Sequence, residues 1–275
     1  MTTTPALPTT IEGVLTQLEA IITNTEKNDD RLGYFAALYY KVTYKVKEDI
    51  DNNLFHNGAR LAELDVVFAN RYLYAYYEWK KDANSPLVSE SWRIAFKSAS
   101  NSSYLVLQQL LLGMNAHINY DLGIAVVELA AKGNNIDDLR VDYNSINNVL
   151  ASLTYGVINK LNIVSPFLSL LGFTGTSSNS MLVQFSLTTA RDGAWLFALD
   201  LLRLVNDTPK YNALMASRDK EISDLGGLLI KSKGFLKFGI WVIHIFEWKN
   251  VKNIINVLHT HKKLSLHQVK AKMAA

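Results

Sequence analysis

Apolar residues along this chain recur every three to four positions, and polar or proline-bearing breaks separate the runs. Ile11, Val14, Leu15, Leu18 and Ile22 form one stripe, with Thr9 or Thr10 placed to cap it and Glu12 in its first turn. After the polar linker EKNDDR, Phe35, Leu38, Tyr39, Val42 and Val46 continue the pattern over 32–50. The aromatic and β-branched residues there would suit a strand, but the length and a period of about 3.6 predict a helix. A third helix is predicted over 59–81, from Leu61, Leu64, Phe68, Tyr72 and Tyr76, and DANSP ends it. Ser89 or Ser91 caps a fourth from Trp92. Further helices are expected over 142–161, 181–205 and 211–229, with a short piece near Phe167 and one basic helix from 234 to about 261. No stretch alternates as a strand would. The expected fold is all-α, a compact multi-helix domain with a central buried helix at about 110–130. The expected organisation is a disordered lead over 1–9 and a helical domain over 10–230. A basic C-terminal helix and frayed tail over 231–275 would pack on the same domain.

The central run, Leu110 to Glu128, reads LLLGMNAHINYDLGIAVVE and holds Asn115, His117, Asn119 and Asp121 in its middle. On a helix His117 and Asp121 share a face, which Ile124 and Glu128 continue. Burying an imidazole and a carboxylate costs several kcal/mol unless they are paired. The segment is therefore a polar lock in a helical core or the floor of a site. A carboxylate one turn away fixes the imidazole tautomer and raises its basicity, as a general base requires. The same pair suits a metal-bound histidine and its supporting acid, or two ligands of one ion. Glu128, with Asp65 or Asp192 from elsewhere, would complete a nitrogen and oxygen set for a single divalent metal. The Glu-x-x-His pattern of di-iron bundles is absent.

Composition narrows the field. The chain has 275 residues, 49% of them hydrophobic, and a formal net charge of +3, too small to define a polyanionic partner. With no Cys, disulfides, thiolate-held zinc, iron–sulfur clusters and thiol nucleophiles are excluded. The N-terminus lacks the pattern of a signal peptide, and no uninterrupted apolar run reaches membrane length, so a soluble cytoplasmic protein is expected. No phosphate loop, dinucleotide fingerprint, HExxH or nucleophile elbow occurs. By elimination as well as by chemistry, NAHINYDL becomes the leading candidate site.

Three segments, LDVVFANRYL (64–73), LLGMNAHINYDLGIA (111–125) and ARDGAWLFA (190–198), together resemble the bacterial domain-of-unknown-function family 5995. NAHINYDL, residues 115–122, is the most specific piece, and the resemblance covers roughly residues 30–205. It implies no reaction, substrate or cofactor. It does add weight to Asp65, Asn70, Arg71, His117, Asn119, Asp121, Arg191 and Asp192, which stand in the matching segments.

The leading expectation is an enzyme acting on a small molecule, hydrolase- or lyase-like, in an aromatic-lined pocket. His117 would be general base or metal ligand, and Asp121 would orient it. Asn115 and Asn119 would hydrogen-bond substrate or neighbouring backbone. Arg71 or Arg191 would supply positive charge, with Asp65, Tyr72 and Asp192 completing the binding residues. Each has a structural alternative: salt bridges for the arginines, core packing for the tyrosines. Two other functions stay open, a non-catalytic binder of an apolar ligand and an interaction protein whose buried polar network only specifies packing. No nucleic-acid partner is expected. The basic C-terminal helix, with Lys237, Trp241, His244 and Trp248 on one face, gives membrane-surface contact as a lesser reading.

Overall fold

The structure, a computed structural model, describes residues 5–171, 177–231 and 234–260, with the side chains of 177–185 and 234–236 left aside. The expectations for residues 1–4 and 261–275 lie outside the described residues. The architecture is all-α: among the described residues there is no strand. The helices are α1 (Ile11–Lys27), α2 (Gly33–Asp51), α3 (Gly58–Lys81), α4 (Glu90–Ala99), α5 (Val106–Ala116), α6 (Leu122–Ala131), α7 (Ile136–Val164), α8 (Ser177–Arg203), α9 (Thr208–Ile230), α10 (Gly234–Phe246) and α11 (Val251–His259). A π-helical turn, His117–Asp121, joins α5 to α6 without a break.

Side-chain caps set the starts. Thr10 accepts from the Gly13 amide at 3.1 Å, Asn57 from Arg60 at 3.0 Å and Ser89 from Trp92 at 3.3 Å. Helix α7 begins six residues before the expected 142, at Ile136. Asn135 caps it through the Asp137 amide at 2.9 Å, and Asp137 and Asp138 complement the helix dipole in the first turn. The single basic helix expected from 234 to 261 is two helices. Its only acid, Glu247, is buried at the break and accepts from the Val106 amide at 3.1 Å and the Ser165 hydroxyl at 2.5 Å. Satisfying those donors turns the chain inward, so Trp248 lies past the break and does not extend the face of Lys237, Trp241 and His244.

Two apolar clusters form the core. One gathers Tyr34, Tyr72, Trp92 and Leu110, and the other gathers Leu64, Tyr143, Trp195 and Leu201. The continuous helix Val106–Ala131 runs through both, with α5 in the first cluster and α6 in the second. Its 26 residues are long and apolar enough to cross a membrane, yet 78% of its most apolar window is buried inside the bundle. It is the core helix of this fold. Glycine permits two close approaches along it. A Cβ on Gly113 would meet the Phe35 ring at 2.4 Å, and one on Gly123 would meet the Ala194 carbonyl oxygen at 2.7 Å.

Candidate functional site

The polar cluster foreseen in the central helix falls where the helix widens. Leu122 donates its amide to the His117 carbonyl, five residues back, so the turn holds one residue more than an α turn. Arg218 of α9 donates Nε to the Asn119 carbonyl at 3.2 Å, partnering a backbone oxygen inside that turn.

Asp121, 2% exposed, is the hub. Its Oδ2 accepts from Trp92 Nε1 at 2.7 Å and faces His117 Nδ1 at 3.3 Å, and its Oδ1 accepts from Arg71 Nε at 3.3 Å. Arg71 reaches onward to Glu128 at 2.8 Å. One carboxylate thus ties α3, α4 and the π turn together. It also places the His117 proton on Nδ1, which leaves Nε2 with its lone pair. Burial, reinforced by the Arg71 charge, holds the His117 pKa below the ordinary histidine value against the opposing pull of Asp121, so the ring is neutral at pH 7. Phe68 stacks on the imidazole at 3.6 Å between centroids and Tyr39 meets it edge-on at 4.5 Å.

His117 Nε2 is buried and without a hydrogen-bond partner among the described residues. The ring lines a cavity of about 170 Å³ enclosed by α2, α3, the central helix, α7 and α8, at the junction of the two core clusters. Almost all of its wall is aliphatic or aromatic. Asp65 faces it from α3, one turn from Phe68, and Oδ2 has no hydrogen-bond partner among the described residues. Burial pushes the Asp65 carboxyl up to about 7. Arg191 faces it from α8, 5% exposed, with Nε unpartnered. Arg191 Nη2 donates to the Tyr143 carbonyl, and the Tyr143 hydroxyl donates to the Arg191 carbonyl at 2.6 Å, a reciprocal lock between α7 and α8.

The residues expected at a site therefore separate. His117, Asp65 and Arg191 share the cavity, with Asp121 and Arg71 behind His117. Asn115 and Asn119 are not among the cavity's lining residues: Asn115 Nδ2 donates to the Ile222 carbonyl of α9 at 2.8 Å, and Asn119 Nδ2 braces Asn115 through its Oδ1 at 3.0 Å. Tyr72 is core, against Trp92 and Phe35. Asp192 is half-exposed and bonded to Arg140 at 3.2 Å. Among the described residues no three His, Asp or Glu side chains are placed to hold a metal. In the expected pair, Asp121 is already engaged by Arg71 and Trp92. Trp92, Phe68 and Tyr143 carried no sequence signal as site residues. They come from other helices, and nothing in local spacing links them to His117 or Arg191.

Fold and site together define an all-α protein with a largely apolar cavity whose lining includes the polar side chains of Asp65, His117, Thr154 and Arg191. The profile of the family of unknown function DUF5995 matches residues 11–232, and the chain belongs to that family. No curated protein and no solved structure matches it.

Proposed function

We propose that the protein takes up an apolar small molecule in this cavity and orients its polar end with polar side chains that line it, His117, Asp65 and Arg191. The observation that carries the reading is that four residues lining one otherwise apolar cavity each hold a buried polar atom with no hydrogen-bond partner among the described residues: Tyr39 Oη, Asp65 Oδ2, His117 Nε2 and Arg191 Nε. A buried donor or acceptor left unmade costs about 1–3 kcal/mol, and a ligand group that meets it recovers that cost. A cavity of about 150 Å³ holds a benzene-sized guest, so 170 Å³ accommodates a small organic ligand. Toluene and n-octanol are expected to raise the Tm of the wild-type protein and to give saturable heats on titration. Leu153→Trp, which fills the cavity from α7, is expected to fold and to lose both responses. Equal responses in wild type and variant would refute the cavity as the binding site.

A second reading, catalysis, is favoured by the arrangement of the His117 ring, with Nδ1 on a carboxylate and Nε2 unpartnered on a ring that lines the cavity. That is the geometry of a general base acting on a bound hydroxyl or activated C–H. His117→Gln would then lower turnover by about 10²–10⁴-fold while ligand affinity persists. Turnover unchanged in a folded His117→Gln protein would remove the catalytic reading and leave the binding one.

A further inference from the structure

We infer that the ligand is a linear aliphatic monocarboxylate whose head group pairs with Arg191. The inference rests on the cavity being the ligand site and goes beyond it in naming the ligand's charge and shape.

Arg191 is a buried cation with no acidic partner. No carboxylate oxygen of the described residues lies within 4 Å of its guanidinium, its neighbour Asp192 is engaged with Arg140, and the stretches outside the description contain no Asp or Glu. The guanidinium lies over the Tyr143 ring at 4.3 Å and gives Nη2 to the Tyr143 carbonyl, while Nε has no hydrogen-bond partner among the described residues and the side chain lines the cavity. An arginine does not shed its charge by deprotonation. A buried charge without a counter-ion is costly, and a carboxylate supplies one with the planar geometry that a guanidinium fits best.

The rest of the cavity sets the remainder of the ligand. Lining positions run from Leu107 to Leu122 on the central helix and from Ile146 to Leu161 on α7, about 22 Å on each at 1.5 Å per residue. Lining that extends along two helices suits an extended chain better than a ring system. Tyr143, which carries Arg191, lies one turn before Ile146, so the cation sits towards one end. The other end, at Leu107 and Leu161, is aliphatic. A doubly charged head such as a phosphate would set surplus negative charge in the same cavity as Asp65, so a monoanion is favoured.

Titration calorimetry on the full chain at pH 8, with hexanoate and hexanol in parallel, tests the inference. In the wild type hexanoate is expected to bind at least about tenfold more tightly than hexanol, the margin of a desolvated charge pair. Arg191→Met is expected to remove that margin and keep hexanol affinity, and Arg191→Lys to keep part of it. Equal wild-type affinities for acid and alcohol would overturn the carboxylate inference and leave the cavity reading standing. Binding of neither would overturn both. Should Arg191→Met fail to fold, the wild-type comparison and Arg191→Lys decide the matter.

Discussion

At the scale of single residues the chain concentrates its buried polar chemistry on few atoms. Asp121 takes hydrogen bonds from Trp92 and Arg71 and faces His117, so removing one partner should be felt in full. Trp92→Phe keeps an aromatic ring beside Phe96 but leaves Asp121 Oδ2 without its shortest bond, and urea unfolding should show a loss of about 1–3 kcal/mol. Asp65 gives a pH signature. Its folded-state value of about 7 lies above the unfolded 3.8, so the native state holds the proton more tightly and the side chain costs stability progressively as pH rises from 4 to 7. Asp65→Asn should therefore be more stable than the wild type above pH 7, by up to roughly 4 kcal/mol, and the difference should vanish towards pH 4. A constant difference across that range in thermal melts would contradict the assignment. The His117–Asp121 pair was legible in sequence because both residues lie on one helix, four apart. Asp65 and Arg191 were legible as charged positions within matching segments. That they look into one cavity was not, because it depends on how α3 and α8 pack.

At the scale of elements, helical period and capping residues carry most of the information. Differences arise where a distant group competes with local preference. The π turn at His117–Asp121 accompanies the Arg218 bond to the Asn119 carbonyl, a contact 99 residues away in sequence. The break between α10 and α11 follows from Glu247 turning inward to two donors on other segments. Gly123 lies where α6 and α8 approach most closely, with the Ala194 carbonyl oxygen 2.7 Å from the place of a Cβ. Because that obstacle is backbone, Gly123→Ala should separate the two helices and cost about 1–3 kcal/mol, measurable as a lower urea midpoint.

At the scale of the molecule, the helix Val106–Ala131 is the axis and the other elements are tied to it from several sides. Glu247 joins the C-terminal helices to the first amide of α5, and Lys41 of α2 donates to the Leu258 carbonyl of α11 at 2.6 Å. Burial, with Lys160 beside it, pulls the Lys41 amine down to about 6. Glu247→Ala would leave the Val106 amide and Ser165 hydroxyl without an acceptor. Limited trypsin digestion is then expected to cut at Lys249 or Lys252 well before the wild type is cut there. Equal rates would show that Glu247 is not what holds α11 in place.

The sequence by itself determined the all-α class, the placing of most helices and the buried status of the central run. Those rest on period, capping chemistry and burial cost, which are local. It also singled out His117 and Asp121, since a polar pair inside an apolar helix is conspicuous without any neighbour. Tertiary structure decided which polar residues are partners. Trp92 completes Asp121, Tyr143 holds Arg191, Asn115 and Asn119 serve α9, and Asp65 meets the cavity with no partner. Such pairings join residues tens of positions apart, and only the crossing of the helices, set by the shapes of their apolar faces, brings them together.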